Sequence, residues 1–94
     1  MAKLKTYPFD PAEYLDTPET IAIYLEEAFK TEDPAFITHS LGTVARAKGM
    51  SDVASRAGLS RESLYKALSA EGNPEFATIL KVMKALDLKL TVAG

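Results

Sequence analysis

The residues with most to offer chemically are Arg61, Glu62, Ser63, Tyr65 and Lys66, within the run Met50 to Ser69, MSDVASRAGLSRESLYKALS. At helical spacing they share an outward face with Ser69, while Leu64, Ala67 and Leu68 turn inward. Two cations, a carboxylate, an aromatic ring and hydroxyls on one helix face suit base edges and phosphate oxygens. Ser51 and Ser60 stand at helix starts, where they can position backbone phosphates. Glu62 can accept from a cytosine amino group and so penalise wrong bases.

Such a face works only if something holds it out, and the flanking residues have that grammar. Val53, Ala54 and Ala57 give the inner positions of a first short helix, and Gly58, Leu59 and Ser60 separate it from the second. A small Ala54 lets the second helix cross closely over the first. Gly58 falls where the chain reverses, and a left-handed backbone costs glycine little. Leu59 drops between the helices, Ser60 caps the second, and Leu64 fastens it to the first. The spacing predicts a helix-turn-helix over 50–69. The plainer reading is a helical hairpin whose outer face is merely solvated.

Other chemistries find no comparable constellation. Glu26 and Glu27 are neighbours, but adjacent helical side chains point about 100° apart and do not form an acid/base pair. His39 is the only histidine and there is no cysteine, so thiolate zinc sites, disulfides and cysteine nucleophiles are excluded. The serines lack a histidine–carboxylate partner in any recognisable order. An enzyme is therefore not expected, nor a cofactor or metal.

The formal charge of -2 hides two unlike parts. Residues 1–33 hold three Lys against eight Asp or Glu, net -5; residues 34–94 hold eight Lys or Arg against five acids, net +3. The basic part contains the candidate face, as nucleic-acid binding requires. The acidic part suits a cationic protein partner, or serves solubility alone. At 94 residues the chain is expected to be one domain, with no signal peptide or membrane span, in the cytoplasm.

Along the chain, a cap residue precedes proline four times: Asp10-Pro11, Thr17-Pro18, Asp33-Pro34 and Asn73-Pro74. Each predicts a helix start. Asp10 to Leu15 would make a single turn after an extended arm. Thr17 to Lys30 makes a helix with Ile21, Tyr24, Leu25, Ala28 and Phe29 on one face. Asp33 to Lys48 makes another, with Phe36, Ile37, Leu41, Val44 and Ala45 inward, a close neighbour at Gly42, and Gly49 as its stop. Asn73 is expected to cap a last helix whose core stripe is Phe76, Ile79, Leu80, Met83 and Leu86. Past Asp87 the period becomes 2, with Leu88, Leu90 and Val92 alternating with Lys89, Thr91 and Ala93, which predicts a strand in need of a companion.

The segment SRESLYKALSAEGNPEFATILKVMKALDLKL, Ser60 to Leu90, closely resembles bacterial addiction-module antidote proteins. These are antitoxins with a helix-turn-helix of the xenobiotic-response-element type, related to the HigA antitoxins. The resemblance extends upstream through TYPFDPAEYLDTPETIAIYLEEAF and is most specific from Gly58 to Pro74. The fold to expect is all-α: a five-helix lambda-repressor-like DNA-binding domain over 1–94, with an arm over 1–16 and a short C-terminal strand over 88–94. The resemblance implies a protein that binds its own double-stranded operator DNA as an autorepressor. It also implies a cognate small basic toxin of the RelE/ParE type held inactive. The family's operator contacts fall on Arg61, Glu62, Tyr65 and Lys66.

One recognition helix covers few base pairs, so a homodimer on a two-fold operator is expected. Toxin binding has two sequence candidates, the acidic first third and the C-terminal strand. A stand-alone repressor of the same fold and a pure protein-interaction bundle are the rival classes.

Overall fold

The computed structural model describes residues 15–69 and 71–93. The expected arm, the Asp10-Pro11 start and most of the turn to Leu15 lie outside them. Among the described residues there are five helices: α1 Pro18–Lys30, α2 Pro34–Lys48, α3 Met50–Ala57, α4 Arg61–Ala67 and α5 Phe76–Ala85.

Two of the cap-proline pairs begin helices as expected. The Thr17 side chain accepts from the Thr20 N–H at 3.2 Å, and the Thr20 hydroxyl accepts from the Thr17 N–H at 3.3 Å, a reciprocal capping box ahead of Pro18. The Asp33 carboxylate accepts from the Ala35 and Phe36 N–H groups, satisfying two donors at the start of α2. Gly49 closes α2 and leads directly into α3.

Asn73-Pro74 does not begin a helix. α5 starts at Phe76, with Glu75 in the cap position and no side-chain cap bond. The connector explains the delay. A Cβ on Gly72 would sit 2.3 Å from the Ala67 carbonyl oxygen, so the chain runs flush against the end of α4 and turns helical only once past it.

α3 occupies the centre, packing on α2, α4 and α5, while α1 covers α2. The core gathers Leu15; Ile21 and Leu25 of α1; Leu41, Val44 and Ala45 of α2; Met50, Val53, Ala54 and Ala57 of α3; Leu64 and Leu68; and Val82, Met83, Ala85 and Leu86. Gly42 lies under the end of α4, where an added Cβ would be 3.1 Å from the Leu68 carbonyl oxygen. This is the close neighbour its position foretells.

The inward faces of α2 and α5 need correction. Phe36 is exposed, because it lies on the first turn of α2, ahead of the buried positions that begin at Thr38. Phe76 and Leu80 are exposed on α5, while Val82 and Ala85 are buried. α5 carries apolar residues on more than one face, so its period does not choose the face that meets α3.

The C-terminal strand is absent from the described residues. The Leu88 N–H donates to the Met83 carbonyl at 2.9 Å, finishing α5, and residues 88–93 form no bridge. A strand exists only with a paired neighbour, and the described residues offer none.

One buried group is left over. The Ser40 hydroxyl is fully buried on α2 and has no hydrogen-bond partner among the described residues. Ser40→Ala removes that desolvated group and improves helix propensity, so it is expected to raise stability by about 1 kcal/mol. A higher urea midpoint at unchanged slope is the expected reading.

Candidate nucleic-acid interface

Seven residues are too few for a helix to hold itself in water, so α4 depends on its cap and its inner side chains. The cap is Ser60, whose Oγ accepts from the Ser63 N–H at 3.0 Å and bonds the Ser63 hydroxyl at 2.8 Å. Leu64 is wholly buried and Leu68 nearly so. Ahead of the cap, Gly58 adopts the left-handed conformation at φ 73°, ψ 29°. The Leu59 N–H then reaches back to the Ala54 carbonyl at 2.9 Å, and half-buried Leu59 packs on the core. The turn is thus fixed on both sides.

What α4 presents outward is Arg61, Glu62, Ser63, Tyr65 and Lys66, all exposed. The Arg61 guanidinium lies over the Tyr65 ring, 5.4 Å from its centroid, and its Nη2 donates to the Tyr65 hydroxyl at 3.4 Å. At an exposed site such a stack contributes about 0.5–1 kcal/mol, enough to favour one Arg61 orientation. The ion pairs among the described residues are Lys30–Glu27 and Arg56–Asp52, so neither Arg61 nor Lys66 is engaged by a carboxylate there. Their charge is available to an incoming anion.

Of the seven residues singled out, the structure joins Ser60 to Ser63 and Arg61 to Tyr65. Glu62 and Lys66 stand exposed on the same helix, while Ser51 lies apart on the exposed first turn of α3. The serine pair is engaged in capping α4, which narrows what those hydroxyls offer a ligand. Arg46 escaped the sequence reading. Its Nη1 is 3.2 Å from where a Gly42 Cβ would lie, beside the Leu68 carbonyl, so a cation from α2 stands at the end of α4. The signal was the spacing of Gly42 and Arg46 by one helical turn.

The remaining chemistry is sparse. His39 is exposed, and among the described residues no group of His, Asp or Glu is arranged to hold a metal ion. No described helix is long and apolar enough to cross a membrane.

Comparison with known proteins adds to this geometry. Residues 5–94 match a family model described as probable addiction module antidote protein. A Haemophilus influenzae protein carrying only the name uncharacterized protein is 52% identical over 84 residues, covering 89% of this chain and 87% of its own length. No solved structure matches the chain.

Proposed function

We propose, from the premise that this chain belongs to the family of probable addiction module antidote proteins, that it is an antitoxin which represses its own operon. In this reading α3 and α4 form a helix-turn-helix of the xenobiotic-response-element, HigA-like type in a lambda-repressor-like domain. α4 enters the major groove, Arg61 and Lys66 take guanine edges or phosphates, and Glu62 screens against wrong bases. Tyr65 and Ser63 complete the groove-facing surface, and Ser51 and Ser60 lie at the phosphate backbone. The carrying observation is the exposed cationic and aromatic face of α4, with no carboxylate partner among the described residues, on a helix fixed by Ser60 and Leu64.

Two copies act together, since one α4 spans only a few base pairs and a two-fold operator places half-sites about one helical turn apart. The partner is a small basic toxin of the RelE/ParE type, held inactive in the cytoplasm.

The test is binding of the purified chain to DNA from immediately upstream of its own gene. Binding far tighter than to random DNA, falling steeply with salt, with two chains per operator by light scattering, is the expected result. Equal affinity for both DNAs would remove the repressor reading and leave a protein-interaction module.

A further inference from the structure

α3 and α5 pack together and leave an open hollow of about 400 Å³, lined by Arg56, Ala57, Lys81, Lys84 and Ala85. Its charged side chains are all cations, and all three are exposed. We infer that this hollow receives the acidic face of α1 from a second copy of the chain, in a head-to-tail contact separate from any two-fold dimer on DNA.

Three observations carry it. Lys81 and Lys84 stand one turn apart on α5 with no carboxylate partner among the described residues, and Arg56 has Asp52 alone, at 3.2 Å. The hollow therefore keeps a positive excess. Its floor is small, since Ala57 and Ala85 are the apolar residues that line it, so a helix can approach closely. The chain itself carries the complement. Glu19 and Glu26 lie seven residues apart on one face of α1, with Asp16 just ahead of them; all three are exposed and none pairs with a cation among the described residues. No residue of α1 lines the hollow, so the complement comes from another copy.

The patch is also short. An adjoining hollow shares Arg56 and Ala85 but adds Asp52 and Asp87 beside Lys48, so carboxylates there match the cations. A continuous polyanion such as DNA would run from the cations onto those carboxylates and gain nothing, whereas a helix with a few separate carboxylates meets the cations alone. Because the two surfaces differ, every contact leaves one of each free, and association continues past a pair. Exposed ion pairs are individually weak and screened by salt, so the contact belongs to low salt and high protein concentration.

The test is sedimentation velocity on the full chain without DNA, over rising concentration at low and high salt. The parent is expected to grow beyond its high-salt mass at low salt. Lys81→Glu with Lys84→Glu, and separately Glu19→Lys with Glu26→Lys, are each expected to weaken that growth by about 10-fold or more. An equal mixture of the two variants is expected to restore it, because each then offers the surface that the other has lost. Circular dichroism checks that both variants stay folded, and restoration in the mixture is not open to misfolded chains. A parent that keeps its high-salt mass at every concentration would overturn the contact, as would variants that associate like the parent or a mixture that stays apart. A lysine variant that instead lowers the salt slope of DNA binding by about two, with no change in self-association, would assign the hollow to phosphates. The repressor reading stands or falls separately, on operator binding.

Discussion

Leu64→Ala is expected to lower the stability of the protein by about 3 kcal/mol, within the range of roughly 2–5 kcal/mol for emptying a tightly packed leucine site. Leu64 is fully buried, at 0% exposure, and is the main anchor by which α4 holds to α3. The C-terminal end of α4 is closely held: Gly42 stands under Leu68, and Gly72 is flush with Ala67. α4 therefore has little freedom to collapse into the space left behind. For a domain of this size about 3 kcal/mol corresponds to a Tm lower by roughly 10–20 °C. The loss falls first on α4, because seven residues with one cap bond do not persist as a helix when the anchor is gone. Urea unfolding followed by circular dichroism gives the global figure, and amide exchange at Tyr65 to Leu68 reports the local one. A loss under about 1 kcal/mol, or α4 amides as protected as in the parent, would contradict this account.

The α3–α4 unit was legible because each of its residues answers a local demand. Gly58 supplies the left-handed turn, Ser60 the cap, Leu64 the buried anchor, and the three lie within one short stretch. Thr17 and Asp33 were legible for the same reason, since a cap is satisfied by backbone donors two or three residues on. The misreadings at Asn73-Pro74, on α5 and at the C-terminal segment turn on packing or pairing with residues outside the element itself. Asn73-Pro74 has the grammar of a helix start, yet the seat of Gly72 against Ala67 delays α5 to Phe76. Phe76 and Leu80 fit a helical stripe, but which stripe of α5 is buried depends on where α3 lies. Leu88, Leu90 and Val92 have strand periodicity, and periodicity does not supply a second strand. The Arg61–Tyr65 stack lay within reach of the sequence, being a pair one turn apart, although the spacing alone does not distinguish stacking from two separate contacts.

That distinction gives operator binding its sharpest expected result. Arg61→Ala with Lys66→Ala is expected to bring operator affinity down to the level of random DNA. A guanine contact by Arg61 is worth about 1–3 kcal/mol of discrimination, and each phosphate contact by Lys66 adds roughly one to the salt slope. Both losses occur twice on a two-fold operator, so the lower figure for Arg61 alone multiplies to about 30-fold, and the lost Lys66 phosphate contacts come on top of it. Tyr65 separates the alternatives. If the ring acts by holding the Arg61 guanidinium 5.4 Å from its centroid, Tyr65→Leu weakens the operator complex in the parent but adds little once Arg61 is alanine. Additive losses would mean that Tyr65 touches DNA on its own account, because independent contacts sum and coupled ones do not. The salt slope provides the cross-check: Tyr65→Leu leaves it near the parent value, since no charge is lost, whereas Lys66→Ala flattens it. Retained operator specificity in the double alanine variant would instead place sequence recognition elsewhere than on α4.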